Sequence, residues 1–388
     1  MNLAKALMIS IQLLKKENTD EALLFLQPYE SECVNLASEI LRGGADCWAL
    51  YYSEPSQAGN VSRDQDAGGQ KIAGSSPAMT DDAMSFPRSD AGIFQGQKLA
   101  GLFALRKKRS LFFCLPFAKY KSAFDKKVCS EAQRPLMEFF ESREPFCVNG
   151  EAAGAIFLRN ILKNKKSPMR PSVTNKYFLM VSGEENESCP QALERRISRN
   201  VRARDQASAN SGIESLSRDS GEENQEASQN KKAVQAQNSG GGSGAAGGLR
   251  VIQATAADYE RLLPLELGYQ REEVVPKSFD ISDAALGAAF KHELGQGLTF
   301  ALYDGGRPIA KARVSACGLR HCMLGGVYTI PSERKKGRAS FLVRQIIARQ
   351  SLAFNGFCLY AKQENAAALA LYKSLGFEAR GEYLLVYY

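Results

Sequence analysis

The sequence predicts an α+β (mixed α/β) protein whose central mixed, mostly antiparallel sheet is flanked by helices. Strand-like and helix-like runs come mixed along the chain, without a strict strand–helix alternation. The turn Asp304-Gly305-Gly306-Arg307 separates two strand-like runs and predicts a hairpin, so these strands are expected to be antiparallel. Residues 327–330 lead through a short loop into the amphipathic run 340–354, which predicts a crossover connection.

Composition limits the classes of function. The 388 residues are enough for two ordinary domains plus unstructured sequence. The formal net charge is +8 and the pI is near 8.9, with the excess spread along the chain. Such a diffuse excess can attract a polyanionic cofactor but does not predict nucleic-acid binding. Nine cysteines without a Cys-x-x-Cys pair are typical of reduced thiols.

No segment predicts export or a membrane span. The apolar residues 1–14 are interrupted by Lys5 and followed by Lys15-Lys16, without a small-residue cleavage site. No run approaches the roughly 18 apolar residues that a spanning helix needs. We therefore expect a cytoplasmic protein without a membrane partner.

Residues 1–183 predict a first α+β domain. Residues 3–44 are predicted to be helical, with Asp20 as a cap and Gly43-Gly44 as a stop. Residues 55–91 are rich in Ser, Gly, Asp, Gln and Pro, which predicts a disordered insertion. Further elements are predicted as strands at 47–52, 110–117, 146–148 and 176–181, a hairpin at 92–105, and helices at 132–142 and 150–162.

Residues 184–248 predict a disordered linker. They are rich in Glu, Asn, Ser, Gln and Arg and end in a Gly/Ser run from Gly240. Such a segment has too few apolar residues to form a hydrophobic core. Residues 249–388 then predict a second domain without insertions. Its elements are predicted as strands at 250–254, 298–303, 308–315, 323–330 and 356–361, two short strands after Phe377, and helices at 258–268, 282–294, 340–354 and 365–375.

The loop between residues 330 and 340 has the features of an anion site. Pro331 ends the strand because it has no N–H to donate, and a helix N-terminus presents unpaired N–H groups with positive dipole charge. Gly337 allows close approach of the backbone, and small Ala339 does not block it. This pattern favours a phosphate or pyrophosphate. The alternative is a solvated basic turn between a strand and a helix.

A second segment, residues 363–377, contains a tyrosine that could act as a general acid. Asn365 can cap its helix and Gly376 can close the helix in the left-handed conformation. Asn365 and Tyr372 are seven residues apart and therefore share one helix face. A tyrosine in this position could protonate a thiolate leaving group. The alternative is an ordinary helix with a half-buried tyrosine.

Together these two segments resemble the GNAT family of N-acetyltransferases across residues 249–388. Arg334-Lys-Lys-Gly337-Arg-Ala339 matches the family's Arg/Gln-x-x-Gly-x-Gly/Ala loop. The family's Asn-x-x-Ala-x-x-Leu-Tyr-x-x-x-Gly-Phe segment is matched by six residues, namely Asn365, Ala368, Leu371, Tyr372, Gly376 and Phe377. The resemblance implies a GNAT fold, acetyl-CoA as co-substrate without a metal, and transfer of an acetyl group to an amine of a small molecule or peptide.

The resemblance also implies roles for individual residues. Tyr372 is similar to the family's general acid, and Asn365 to a side chain near the pantetheine. The backbone positions that resemble the pantetheine partners are Val327, Tyr328 and Thr329. The positions that resemble the pyrophosphate loop are Arg334, Lys335, Lys336, Gly337, Arg338, Ala339 and Ser340.

One position departs from relatives that acetylate ribosomal proteins. They carry a glutamate base five residues before the asparagine, where this chain has Tyr360. The base could lie elsewhere, water could relay the proton, or the amine could arrive neutral. Four glutamates are candidate bases between which the sequence does not choose, namely Glu266, Glu273, Glu333 and Glu364.

Weaker signals leave further alternatives. Residues 92–105 and 146–154 resemble the degenerate, GNAT-like first half of two-domain acetyltransferases, which implies that the two domains pack on each other. Cys317, His321 and Cys322 offer three soft metal ligands, but structural zinc sites usually have four, so no metal is expected. The alternative to an enzyme is a non-catalytic acyl-CoA-binding or regulatory module.

Overall fold

A computed structural model describes residues 7–43, 46–53, 97–106, 109–182, 248–276 and 279–388. It divides into two compact units, one formed by Met1–Tyr177 with Gly381–Tyr388 and the other by Phe178–Arg380. The predicted insertion at 55–91, nearly all of the predicted linker and the first strand of the predicted hairpin at 92–105 lie outside the described residues. The predicted domain boundaries stay a prediction.

Within these ranges strands and helices are mixed, which confirms the predicted α+β class. The strands are β1 Met8–Leu13, β2 Cys47–Ser53, β3 Lys98–Arg106, β4 Ser110–Cys114, β5 Cys147–Glu151, β6 Val173–Ser182, β7 Arg250–Gln253, β8 Thr299–Asp304, β9 Arg307–Cys317, β10 His321–Thr329, β11 Gly356–Lys362 and β12 Glu378–Tyr387. The α-helices are α1 Thr19–Leu26, α2 Glu30–Leu41, α3 Ala123–Phe140, α4 Ala152–Asn164, α5 Tyr259–Tyr269, α6 Asp283–Gly295, α7 Arg338–Gln350 and α8 Ala366–Ser374. No described helix is both long enough and apolar enough to cross a membrane.

The first unit is built on a mixed sheet in the order β1-β2-β3-β4-β5-β12. The β4–β5 pair is parallel and the others are antiparallel, including residues 383–387 of β12 against 147–151 of β5. Large side chains of the core include Phe103, Phe117 and Phe140, each at most 1% exposed. Burial of these rings removes much apolar surface from water and is the main source of the unit's stability.

Two predictions in the first unit are wrong. Residues 8–13, predicted to be helical, form β1, because Met-Ile-Ser-Ile-Gln-Leu also alternates with period two and pairs along its whole length with β2. The helix predicted at 132–142 begins at Ala123. Its start is fixed by reciprocal hydrogen bonds, from the Asp125 N–H to Ser122 Oγ at 3.0 Å and from the Ser122 N–H to Asp125 Oδ2 at 2.9 Å.

The glycines of the first unit serve packing rather than anion binding. A Cβ at Gly150 or Gly154 would collide with the ring of Phe113. Glu151 occupies the start of α4 and accepts hydrogen bonds from the N–H groups of Ala153 at 2.9 Å and Gly154 at 2.6 Å. Because a carboxylate already satisfies these donors, this helix start has no room for an anion.

The second unit contains the sheet order β6-β11-β10-β9-β8-β7. The β10–β11 pair is parallel, and the β7–β8, β8–β9 and β9–β10 pairs are antiparallel. Gly305 and Gly306 both take positive φ (55° and 86°), which confirms the predicted hairpin. Leu342, Val343 and Ile346 of α7 are fully buried in the core that faces the sheet. One prediction fails here: residues after Phe377 form a single strand, β12, rather than two.

Candidate functional site

Strand β10 separates from its parallel neighbour before it ends. Its described pairing with β11 joins only residues 321–323 to 356–358. Its register against β9 shifts between Gly325 and Tyr328, and Gly326 takes a positive φ of 61° there. A first register shift, between Met323 and Leu324, directly follows the last residue paired with β11, so the irregular part of β10 begins where its pairing with β11 ends. The β11-facing edge of residues 327–329 is left available to an extended ligand, in the segment predicted to bind the pantetheine arm.

The loop after β10 forms a cradle of backbone donors. Lys335 and Gly337 both take left-handed φ values, 61° and 72°, and α7 starts at Arg338. Within the described residues, no protein acceptor is found for the N–H groups of residues 335–340, whereas the Phe341 N–H donates to the Gly337 carbonyl. Adjacent unpaired donors at a helix N-terminus suit an anion with several oxygens. The assignment of this loop to a pyrophosphate stays a prediction, which these unpaired donors support.

Carboxylates hold the basic side chains of this cradle. Glu333 accepts from Lys336 Nζ at 2.9 Å and from Arg338 Nε at 3.1 Å, and these hydrogen bonds lower the pKa of Glu333. Arg338 also donates to Asp304 Oδ2 at 3.2 Å. Both carboxylate oxygens of Glu333 are therefore engaged in hydrogen bonds with side chains of the loop. The backbone, rather than free lysines or arginines, supplies most of the unoccupied donors.

Arg334 connects the loop to the segment after α5. It donates to the Thr329 carbonyl at 2.9 Å and to Glu272 Oε2 at 2.7 Å, and its guanidinium lies 5.4 Å from the centre of the Tyr328 ring. The Tyr328 hydroxyl donates to Glu272 Oε1 at 2.9 Å. Burial and the Glu272 contact raise the pKa of Tyr328. Arg334 thereby fixes the end of β10 against Glu272.

The Thr329 hydroxyl provides a test of ligand fit. Its oxygen is buried and finds no hydrogen-bond partner among the described residues. Buried polar atoms normally have partners, so an unpaired one beside the open edge of β10 indicates a place for a polar ligand group. Together with the donors at 335–340, it fits a molecule that joins a pyrophosphate to an amide-containing arm. Coenzyme A has this composition.

Helix α8 starts and ends as the sequence predicts. Asn365 Oδ1 accepts from the Ala368 N–H at 3.0 Å, which makes Asn365 the N-cap. Gly376 takes a φ of 84° after the last turn, and the Phe377 N–H donates to the Tyr372 carbonyl at 3.0 Å. The cap and the left-handed closure fix both ends of a two-turn helix, so the direction of the intervening Tyr372 is well defined.

Tyr372 lies in the core of the second unit, with 7% of its surface exposed. Its ring packs against Phe377 in an edge-to-face contact with centroids 5.9 Å apart. Burial, and then the proximity of Tyr269 and Glu273, raises the pKa of Tyr372 far above that of a solvated tyrosine. The side chain is thus a phenol at neutral pH, the form that can donate a proton.

The four candidate bases differ in burial and in hydrogen-bond partners. Glu266 is fully buried and bound to Lys311, Glu333 is bound to the loop cations, and Glu364 is exposed. Glu273 alone among them contacts α8's cap: its Oε1 accepts from Asn365 Nδ2 at 3.2 Å. Proximity between residues 92 positions apart leaves no periodic signal in a sequence, so this contact was not predictable.

A buried polar cluster beneath the bulge was also missed. Lys311 Nζ lies 2.6 Å from Glu266 Oε2, donates to the Gly326 carbonyl at 3.1 Å and sits 4.4 Å from the Tyr269 ring centre. Burial lowers the pKa of Lys311 in spite of Glu266. Burial alone would raise the pKa of Glu266. The contacts of Glu266 with Lys311 and Gln270 outweigh burial, so the pKa of Glu266 is lowered. The pair ties α5 to the bulged carbonyl of β10.

The weak metal motif does not form a site. No group of three or more His, Cys, Asp or Glu side chains is arranged to hold a metal among the described residues. Cys317 and Cys322 instead face each other across the β9–β10 hairpin, and contact with Cys317 together with burial raises the pKa of Cys322. A buried thiol with a raised pKa behaves as a small apolar side chain.

Comparison with known proteins agrees with this site. Residues 260–377, which contain the loop and helix α8, match the family model described as Acetyltransferase (GNAT) family. The match spans both motifs and confirms the resemblance deduced from them. No curated protein sequence matches the chain.

Several solved structures are similar at low identity. An acetyltransferase of the GNAT family from Colwellia psychrerythraea is 8% identical over 97% of this chain and 98% of its own, with a TM-score of 0.41. A GNAT-family protein from Novosphingobium aromaticivorans is 15% identical over 56% of this chain and 65% of its own, with a TM-score of 0.31. This chain therefore spans less than two thirds of the latter.

A third similar structure has a named substrate. The ribosomal-protein-S18-alanine N-acetyltransferase from Escherichia coli is 21% identical over 36% of this chain and 92% of its own, with a TM-score of 0.28. Identities and TM-scores this low carry no argument about substrate. The family match and the geometry of residues 327–377 therefore carry the functional interpretation.

Proposed function

We propose that the second unit is an acetyl-CoA-dependent N-acetyltransferase that acts on a primary amine of a small molecule or peptide. The observation that carries this proposal is the placement of the cradle and Tyr372. The cradle follows β10 and Tyr372 lies on the helix that follows β11, and these strands are parallel neighbours. Ligand sites in mixed and parallel sheets commonly lie beyond the carboxyl ends of such strands.

The residues then have distinct tasks. The N–H groups of 335–340 bind the pyrophosphate, and the open edge of 327–329 together with the Thr329 hydroxyl binds the amide-containing arm. Asn365 fixes the start of α8, and the family resemblance assigns its side chain to the neighbourhood of this arm. When bound, acetyl-CoA supplies an acetyl group activated as a thioester. Tyr372 donates its phenol proton to the sulfur as the C–S bond breaks, which avoids expulsion of an unstabilised thiolate.

Thiol release tests the proposal directly. The full chain, incubated with acetyl-CoA and a panel of alkylamines, anilines and short peptides, is expected to release free thiol in an amine-dependent manner. Mass spectrometry of the amine should show the gain of one acetyl group. Acetyl-CoA binding measured separately by calorimetry gives the affinity. An absence of binding would contradict the cradle assignment.

A second candidate is a non-catalytic acyl-CoA-binding or regulatory module. It is favoured by Tyr360, which stands on β11 where relatives that acetylate ribosomal proteins carry a glutamate. Binding of acetyl-CoA without thiol release for any amine in the panel, together with no effect of Tyr372→Phe, would select this alternative.

A further inference from the structure

Glu273 lies on the π-helical turn Gln270–Val274 that continues α5. Single π-helical turns within helical segments are frequent at functional sites. Here the turn directs Glu273 to α8: one carboxylate oxygen accepts from Asn365 Nδ2 at 3.2 Å and the other lies 3.5 Å from Lys362 Nζ. The side chain keeps 32% of its surface exposed, so an incoming molecule can reach it.

The same carboxylate lies within electrostatic range of the proposed acid. Asn365, its hydrogen-bond partner, caps the helix that carries Tyr372. The negative charge of Glu273 also contributes to the raised pKa of Tyr372, after burial and Tyr269. Such an effect weakens with distance, so this contribution indicates that Glu273 lies near enough to Tyr372 to act on it electrostatically. A neighbouring acid and base in one site is the arrangement that proton transfer in both directions requires.

Three other glutamates of the second unit already have partners of their own. Glu266 forms a buried ion pair with Lys311, and Glu333 holds Lys336 and Arg338. Glu272 accepts from both Tyr328 and Arg334. Glu273 instead combines partial exposure with contact to the cap of α8, and its ion pair with Lys362 is of the partly exposed kind that contributes little.

We propose that Glu273 accepts the proton of an alkylammonium acceptor during acetyl transfer. This inference rests on the proposed N-acetyltransferase function. One ammonium proton passes to the carboxylate, the neutral nitrogen bonds to the thioester carbonyl carbon, the C–S bond breaks, and Tyr372 protonates the sulfur. The amide nitrogen loses a further proton to the tyrosinate, and Glu273 returns its proton to water. The products are an N-alkylacetamide, free thiol and one released proton.

The test compares Glu273→Gln with the unmodified chain on two classes of amine. Glutamine keeps an oxygen that can accept from Asn365 but cannot take a proton at neutral pH. With alkylamines, which arrive protonated, kcat/KM is expected to fall about 100-fold. With anilines, which arrive neutral, it should change less than about threefold. Acetyl-CoA affinity and the thermal unfolding midpoint should be unchanged, which excludes a folding defect.

Glu364→Gln is the matched control, because this glutamate is the immediate neighbour of Asn365 and is exposed. Its kcat/KM is expected to equal that of the unmodified chain with both classes of amine. Equal alkylamine rates for Glu273→Gln and the unmodified chain would overturn the role of Glu273 while the proposed function stands. Failure of the unmodified chain itself to release thiol with either class would instead overturn the proposed function, and this inference with it.

Discussion

At the scale of single residues, burial gives Tyr372 its chemical character. A phenol with 7% exposure that is packed against Phe377 loses the water that would stabilise its ionised form. Tyr269 and Glu273 add to this effect, and the pKa of Tyr372 rises far above its ordinary value of about 10. The proton therefore stays on the phenol at neutral pH, where Tyr372 can donate it to the negative charge that develops on a departing sulfur.

Tyr372→Phe is expected to lower kcat about 100-fold while acetyl-CoA affinity changes little, because phenylalanine keeps the packing and removes only the proton donor. Because the pKa of Tyr372 is raised, the proton stays bound as pH increases, so the kcat profile should not decline from ionisation of this residue up to about pH 10. Steady-state rates of both proteins between pH 6 and 10 provide the measurement. A decline of kcat centred near pH 8 that disappears in the variant would contradict it.

Residues whose roles follow from local geometry were predictable. Asn365, Tyr372 and Gly376 lie within twelve positions of one another, and capping preferences and helical spacing fix their relations. Glu273 is different, because its contact with Asn365 depends on how α5 and α8 are packed. Lys311 was missed because a lysine in a strand normally predicts an exposed face, whereas its side chain is 2% exposed and bound to Glu266.

At the scale of elements, the loop before α7 binds through its backbone. Two residues with left-handed φ, Lys335 and Gly337, turn the chain so that the N–H groups of 335–340 lack protein acceptors within the described residues. For Lys335 this conformation is costly, of the order of 1 kcal/mol. Backbone strain at a cluster of unpaired donors is typical of a binding site, and less so of a solvated turn.

Gly337→Glu and Gly337→Gln together test this loop. Both introduce the same bulk and the same strain at a φ of 72°, and a Cβ at this position meets nothing within 4 Å. Only the glutamate adds negative charge next to the proposed pyrophosphate. Acetyl-CoA should therefore bind roughly tenfold more weakly to the glutamate variant than to the glutamine variant, about 1.4 kcal/mol by calorimetry. Equal affinities for the two variants would argue against an anion at this helix start.

The bulge of β10 depends on a second element, α5. Lys311 on β9 joins Glu266 of α5 to the carbonyl of Gly326, and all of these groups are shielded from water. A buried ion pair contributes little net stability compared with apolar residues, but loss of one partner leaves a costly unpaired charge. Its value here is that it fixes one register of the bulge, on which the open edge of β10 depends.

Lys311→Met should therefore destabilise the second unit by about 3–5 kcal/mol, because Glu266 stays buried without its partner. The double variant Lys311→Met/Glu266→Gln should recover much of this loss. Urea unfolding of the single and double variants measures both values, and their difference isolates the unpaired charge from the lost contacts. If the double variant is no more stable than Lys311→Met, the charge of Glu266 is not what destabilises the single variant.

At the scale of the whole molecule, the chain forms two compact units, and the first unit is built from two segments that are separated in sequence by the second unit. The last eight residues, Gly381–Tyr388, belong to the first unit, although the preceding residues belong to the second. Strand β12 pairs through Tyr383–Tyr387 with β5, and the Tyr383 hydroxyl donates to Asn149. Sequence patterns predicted two short strands here but not the partner strand. Pairing between residues more than 200 positions apart is decided by tertiary packing, which local periodicity does not encode.

Val386 and Ile346 are both fully buried, but in the cores of different units. Val386→Ala should cost about 2 kcal/mol and Ile346→Ala about 3 kcal/mol through the cavities left behind. If β12 completes the first unit, amide exchange in Val386→Ala should accelerate in β5 and β4 and stay near that of the unmodified chain in α7 and β10. Ile346→Ala should show the reverse pattern. Hydrogen exchange with mass spectrometry resolves these peptides. If amide exchange in Val386→Ala accelerated in α7 as much as in β5, the two units would unfold together. A cavity beside β5 could affect exchange in α7 only through such concerted unfolding.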